Sequence, residues 1–303
     1  MSDIIFHHYP LSPFSEKIRR ILAFKGLPWR SVDQPLMMPK PDLVALTGGY
    51  RRIPVLQIGA DVYCDTALIA RRLDALYPTP SLLPAAQAGL IGIIEDWADH
   101  RLFFQCVPPV IVALYDQLPP GFLDDRAAMS PALTKDGLFK AAPQAWAQAR
   151  LSLDRLEAQL TGKLFLLAEQ FTLADAACYN PVWFLKNDPA LFAEVMARPA
   201  LAAWFKRIES LPDATSADMT SADALAAARD AEPMKMSPSG PAAGSDYQLG
   251  DEVAIAADDY GPEQTGGRVT AISVDSVTIE RQDAALGAVA VHFPRAGYRV
   301  IRR

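Results

Sequence analysis

The 303 residues contain little that would tie the chain to an oxidising compartment, a membrane or a nucleic acid. There are three cysteines, Cys64, Cys106 and Cys178, spaced too widely for a disulfide framework or a zinc pattern. No metal is expected, and a reducing cytoplasm is the expected setting. The start, MSDIIFHHYP, has neither a basic opening nor a long apolar core, so no signal peptide is expected. The most apolar stretch, AGLIGIIEDW, falls far short of a membrane span. Long runs of one charge are missing too: the formal net charge of −6 is dispersed, which argues against nucleic acid or an anionic membrane as partner. No internal repeat is found. What remains is ordinary globular composition, 50% hydrophobic and 21% charged, in a length that suits about two domains with room for a small third.

Three segments differ in pattern, and together they predict a multidomain α+β fold. Residues 1–84 alternate strands and helices. DIIFHHY reads as a strand, and the helix after it carries Phe14, Ile18, Ile21 and Leu22 on one stripe, with Glu16, Lys17, Arg19 and Arg20 off it and Gly26 ending it. WRSVDQ suits a second strand, PVLQIGADVYC a hairpin turning at Gly59-Ala60-Asp61, and TALIARRLDALYP a helix stopped by Pro78. Residues 85–211 read as all-helical, with Trp146, Ala149, Leu153, Leu156 and Leu160 at three-and-four spacing. FTLADAACY holds a capping box, Thr172 with Asp175, and Pro181 is expected to kink or restart that helix. Residues 212–246 are small, polar and proline-bearing, a linker with one short helix from Ala222 to Arg229. Residues 247–303 hold about five strand-like runs separated by Gly-Pro and Gly-Gly turns, which predicts a small all-β barrel-like domain.

The chemistry-bearing residues cluster in the first segment. Ser12-Pro13 is what a helix start looks like, a capping hydroxyl followed by proline. The same place is an anion site, because unpaired N–H groups and the helix dipole point at whatever sits there. A thiol held there would be pushed toward thiolate. Lowering its pKa by about two units takes about 2.7 kcal/mol. Arg51-Arg52, the strand-edge Pro54 and the helix start at Asp65-Thr66 complete a set suited to a peptide-like ligand with a thiol, carboxylates and an ammonium group.

These motifs, with their separations, resemble the cytosolic glutathione transferases over roughly the first 211 residues. The detail is similar to the omega and tau classes. SPFSEKIRRIL places Ser12 at the activating position, where the omega class has cysteine. The resemblance implies a thioredoxin-like first domain, an all-helical second domain and glutathione as co-substrate. It implies that Lys40, in KPD, reaches the glycine end, with Arg52 beside the ligand. Ile53, before a cis-Pro54, would pair with the cysteinyl part, and Asp65 with Thr66 would grip the γ-glutamyl end. Asp65 is one methylene shorter than the family's usual glutamate. Tyr9 is the rival activating hydroxyl and Ser15 a third. Trp97, His100, Arg101 and Phe104 fall where the family lines its second-substrate pocket, or on a helix or dimer contact. A homodimer is likewise implied by the resemblance.

The activity so expected is attack of an activated glutathione thiolate on a small electrophile, whether by conjugation, dehalogenation or ether cleavage. The alternative is a non-catalytic scaffold of the same fold whose C-terminal strands contact a protein partner. A disulfide reductase is disfavoured, because Cys64 is the only cysteine of the first segment and reads as a small buried residue. His7 and His8 share the first strand, one expected to face the core and the other a polar neighbour. Asp175 is expected to be structural, its loss costing roughly 0.5–2 kcal/mol as a cap. Residues 247–303 lack a basic stripe with aromatics, and packing on the chain's own core or on a partner is expected.

Overall fold

The structure is a computed structural model describing residues 3–167, 169–235 and 246–303. Part of the expected linker, 236–245, therefore lies outside the described residues. In chain order the elements are β1 (Ile5–His8), α1 (Pro13–Lys25), β2 (Trp29–Asp33), α2 (Pro41–Thr47), β3 (Val55–Ile58), β4 (Asp61–Cys64), α3 (Thr66–Leu76) and α4 (Ala88–Asp96). A π-helical turn over Trp97–Leu102 leads into α5 (Phe103–Ala113), followed by α6 (Phe122–Ala127), α7 (Lys135–Leu160), α8 (Leu173–Phe184), α9 (Pro189–Met196) and α10 (Pro199–Glu209). Then come β5 (Ser216–Asp218), α11 (Ser221–Arg229), β6 (Glu252–Ala257), β7 (Thr265–Ile272), β8 (Ser276–Asp283), β9 (Gly287–Pro294) and β10 (Tyr298–Arg302).

Two compact units result, and their boundaries cut the chain repeatedly. Met1–Ser15, Pro28–Arg72 and Thr215–Arg303 form one; Glu16–Leu27 and Leu73–Ala214 form the other. The first holds a ten-stranded sheet in the order β10-β6-β7-β8-β9-β4-β3-β1-β2-β5. Its N-terminal strands follow the thioredoxin-like pattern: β1 is parallel to β2 and antiparallel to β3, and β3 turns through Gly59-Ala60 into antiparallel β4. The C-terminal strands form an antiparallel run from β6 to β9, with β10 antiparallel to β6. They continue the same sheet, because β9 runs parallel to β4, Val62 opposite Val291. At the other edge β5 is parallel to β2, and α11 places Ala224 against Ile5 and Val32. The 212–235 part of the expected linker is thus a strand and a helix built into the unit. The helix falls where the sequence placed one, at Ala222 to Arg229, whereas the three-residue strand had too few apolar positions to announce it.

One core runs beneath the join. Leu43 and Leu46 of α2, Val55 of β3, and Val62 and Cys64 of β4 pack with Val253, Ile255, Val269, Val277, Ile279, Val291 and Phe293 of the C-terminal strands. Polar groups pin the join as well. His292 of β9 donates through Nε2 to Asp61 Oδ1 at 2.9 Å, while its Nδ1 lies 2.9 Å from Thr278 Oγ1. Because a carboxylate only accepts, the imidazole proton sits on Nε2 and the Thr278 hydroxyl donates to Nδ1. Burial outweighs Asp61 and lowers the His292 pKa, keeping the ring neutral. Thr278 is therefore buried, although it alternates with apolar Val277 and Ile279. A second polar chain threads β1 and β3: Gln34 to His7, His7 to Gln57 Oε1 at 2.9 Å, and Gln57 Nε2 to the Ala224 carbonyl at 2.8 Å. Burial lowers the His7 pKa to about 4 despite the Gln57 bond. His8 instead meets Ser31 Oγ at 3.0 Å.

In the helical unit Ala149, Leu153, Leu156 and Leu160 line the buried face of α7, while Trp146 stays half-buried. The charges of α1 depart from expectation, since Glu16, Lys17 and Arg20 are buried alongside the apolar stripe. Each is paired. Lys17 Nζ lies 3.0 Å from Glu95 and 2.6 Å from Asp99, and Arg20 meets Glu16 and Asp213. Burial works against the Lys17 charge, but Asp99 and Glu95 outweigh it and raise its pKa. The Thr172–Asp175 capping box is present, and Asp175 also accepts from Leu166 N and Trp204 Nε1, each at 2.9 Å. Helix α8 continues through Pro181 instead of restarting. The Asn180 side-chain amide donates to the Ala177 carbonyl at 3.0 Å, replacing the N–H that proline lacks.

Candidate functional site: the serine helix start and the strand-edge proline

The residues that the sequence singles out in the first unit sit at the ends of its elements. Ser12 precedes α1, is buried, and its Oγ accepts the Ser15 N–H at 3.1 Å. A hydroxyl has one proton and two lone pairs, so this cap uses an acceptor site and leaves the O–H proton for another group. Capping and anion donation are therefore compatible in one serine. Ser15 Oγ, one turn on, is fully buried with no hydrogen-bond partner. Tyr9 is half-buried after β1, and Lys40 Nζ lies 5.7 Å above its ring centroid. Lys40, itself buried before α2, donates to the Arg51 carbonyl at 3.3 Å. Ile53-Pro54 is a cis peptide immediately before β3.

Asp65 opens α3 with φ +74°, a left-handed backbone that is uncommon for a residue other than glycine. Its Oδ1 accepts the Ala67 N–H at 2.9 Å, tying the carboxylate to the first turn of the helix. Thr66 beside it is buried. Burial, with Asp65 next door, pushes the Cys64 thiol well above its ordinary pKa of 9, so this cysteine is not a ready nucleophile.

Sequence reasoning missed what the C-terminal strands do here. The Arg52 guanidinium reaches Asp259 at 2.7 and 3.1 Å, bonds the Tyr260 carbonyl and lies 4.0 Å from the Tyr260 ring centroid. Arg51 faces Glu263 at 3.7 Å, and Arg281 donates to the Ala45 carbonyl at the end of α2. Tyr298 donates its hydroxyl to Asp65 Oδ2 at 3.1 Å. These contacts join residues more than 200 positions apart, and the only local cue was the Gly261-Pro262 turn. Trp97, His100 and Arg101 fall in the π turn of the helical unit and Phe104 at the start of α5. The wider turn breaks the single α-helical face expected for the four. Trp97 and Phe104 are half-buried, and His100 and Arg101 exposed.

Comparison with known proteins gives a consistent result. The model for the N-terminal domain of glutathione S-transferase matches residues 6–81, and that for the C-terminal domain matches 136–207. A solved GST-like protein from Pseudomonas syringae is 37% identical, with a TM-score of 0.84 and all of both chains covered. The chain belongs to the glutathione transferase superfamily. Glutathione S-transferase 3 of Zea mays is 27% identical over 218 residues, 70% of this chain and 91% of that protein. A solved glutathione S-transferase III in its apo form is 25% identical with a TM-score of 0.54, covering 69% of this chain and 92% of its own. The full-length likeness to the Pseudomonas protein takes in the C-terminal strands; the plant transferase reaches about two-thirds of the chain. Glutathione transferases use glutathione as co-substrate, and family membership supports a glutathione-dependent transferase role here. Among the described residues no helix is long and apolar enough to cross a membrane.

Proposed function

We propose that the chain binds glutathione extended along the β3 edge and activates its thiolate with Ser12. The observation that carries this is Ser12 itself, a cap whose oxygen is occupied by Ser15 N–H while its proton remains available at the start of α1. Ile53, before cis-Pro54, presents backbone groups to the cysteinyl part, Lys40 serves the glycine carboxylate, and Asp65 with Thr66 serves the γ-glutamyl end. The thiol proton leaves to solvent. Ser12 O–H donates to the sulfur anion, and the helix dipole adds to its stabilisation. The sulfur pair then forms a C–S bond with a small electrophile, with a leaving group departing or a proton taken up at the neighbouring atom, and Trp97, His100, Arg101 and Phe104 are the residues proposed for the second substrate. A cytoplasmic homodimer completes the proposal; a sedimentation profile of monomer alone would remove that part.

A second reading, a scaffold without chemistry, is favoured by one observation. Arg52 and Asp65, both assigned to the ligand, already have partners among the C-terminal strands. An ultraviolet difference titration with glutathione near pH 6.5 separates the two, since free thiol is about 1% ionised there. A saturable thiolate signal, lost in Ser12→Ala while binding persists, is expected. Unchanged binding and turnover in Ser12→Ala would end the role of Ser12. A flat titration of the unaltered protein would leave the scaffold.

A further inference from the structure

Resting on the assignment of Asp65 to the γ-glutamyl ammonium, we infer that Tyr298 of β10 is a positioning residue of the glutathione site. The C-terminal strands would then contribute to ligand recognition as well as to the core. The carboxylate of Asp65 has two anchors, one on each oxygen: Ala67 N–H on Oδ1 at 2.9 Å and Tyr298 O–H on Oδ2 at 3.1 Å. The first is local to α3, and the second comes from a strand 233 residues away. Together they fix the plane of a short side chain that would otherwise turn about its Cα–Cβ and Cβ–Cγ bonds. Each oxygen keeps a second lone pair for an ammonium group.

Tyr298 suits the task. Its ring is held by Phe293 at a centroid distance of 5.4 Å. Burial, then Tyr50 and Asp65, push its phenol well above the ordinary pKa of 10, so it is a donor throughout the neutral range. Its oxygen lies 3.5 Å from Tyr50 Oη. One phenol has one proton, and the shorter, charge-assisted bond to Asp65 takes it, leaving Tyr50 to donate to Tyr298. The neighbouring contact points the same way. Asp259 and Glu263 pair with Arg52 and Arg51, so the C-terminal strands also supply partners to the basic pair of the first segment. The short aspartate is thereby supported from the far end of the chain, and the ammonium is the ligand group whose recognition depends on it.

The test is Tyr298→Phe in the full-length protein, which removes one oxygen and keeps the ring. Calorimetric binding is measured with glutathione and with its analogue in which a glutaryl group replaces γ-glutamyl, so that only the ammonium is missing. Glutathione affinity should fall about tenfold in the variant, the cost of a hydrogen bond to a charged group. Affinity for the glutaryl analogue should stay unchanged, as should kcat at saturating glutathione. Asp65→Asn should lose the same discrimination, and adding Tyr298→Phe to it should cost nothing more. Equal weakening of both ligands, or of neither, would overturn the inference and leave Tyr298 a packing residue while glutathione binding stands. Absence of glutathione binding in the unaltered protein would instead remove the site assignment and this inference with it.

Discussion

Two basic side chains of the helical unit and two histidines of the sheet unit are buried by opposite means. In the helical unit Lys17 is buried as a cation between two carboxylates, and Arg20 lies between Glu16 and Asp213. In the sheet unit His7 and His292 are buried neutral, each within a chain of hydrogen bonds. Paired charges are costly to break one at a time, since the surviving partner keeps its charge without water. Neutral imidazoles with both nitrogens hydrogen-bonded bury no charge, and their large penalty appears only when the pH supplies a proton. The contrast predicts that one unit responds to the loss of a single partner and the other to acid.

The largest effect should come from Lys17→Met, which leaves Glu95 and Asp99 facing each other. A loss of about 3–5 kcal/mol in denaturant-unfolding stability is expected. Adding Glu95→Gln and Asp99→Asn should recover part of it; no recovery would mean that packing, not charge, set the cost. Next is Asp175→Ala, which strips acceptors from Leu166, Thr172 and Trp204 in a buried site. About 3 kcal/mol is expected, above the range for a simple cap, and a loss under 1 kcal/mol would show the network to be dispensable.

Acid sharpens the comparison from the other side. The folded-state pKa of His7 lies at about 4, below the ordinary 6.5, so the unfolded chain binds the proton first. Its contribution is complete above pH 6.5 and is lost as the pH falls through about 4, a drop of about 3 kcal/mol at most. His292 adds to the loss in the same direction. A His7→Gln variant should show a flatter stability profile between pH 6.5 and 4; an unchanged profile would clear His7 of the effect.

Smaller changes probe the join and the helix start. Gly49 has φ +135°, and a Cβ there would lie 2.9 Å from the Gln264 carbonyl oxygen. Gly49→Ala should cost about 1–3 kcal/mol and increase hydrogen exchange in 258–265 before elsewhere. Uniform exchange would show the join to open with the whole unit. The smallest effect belongs to Ser15→Ala, which removes a buried hydroxyl lacking a partner and should stabilise by under about 1 kcal/mol. A loss of glutathione binding instead would make Ser15 a ligand donor.

Much of this architecture was legible because its signals are local. The five C-terminal strands fall within about two residues of the alternating runs, and Ser12-Pro13 and Thr172–Asp175 sit at helix starts, where their side chains predict them. What escaped was set by partners distant in sequence. Nothing around Lys17 announces Glu95 and Asp99, and a charge off an apolar stripe reads as solvated until another helix covers it. The restart allowed for at Pro181 does not occur, because a neighbouring side chain, Asn180, supplies the donor that replaces its missing N–H. Nor do the spacings around Asp65 mention Tyr298, although that hydroxyl completes the carboxylate's environment.

The pairing of β9 with β4 also has a consequence in time. Asp61 and His292 are 231 residues apart, so β4 leaves the ribosome long before the strand that covers its edge. At roughly 5–20 residues per second, the exposed edge must wait about 10–45 s for its neighbour. The long segment Leu73–Ala214 of the helical unit is complete before β9 exists. During synthesis the first part of the chain to emerge is thus the last to be finished, and the nascent protein carries a β-strand with one open edge for most of its production.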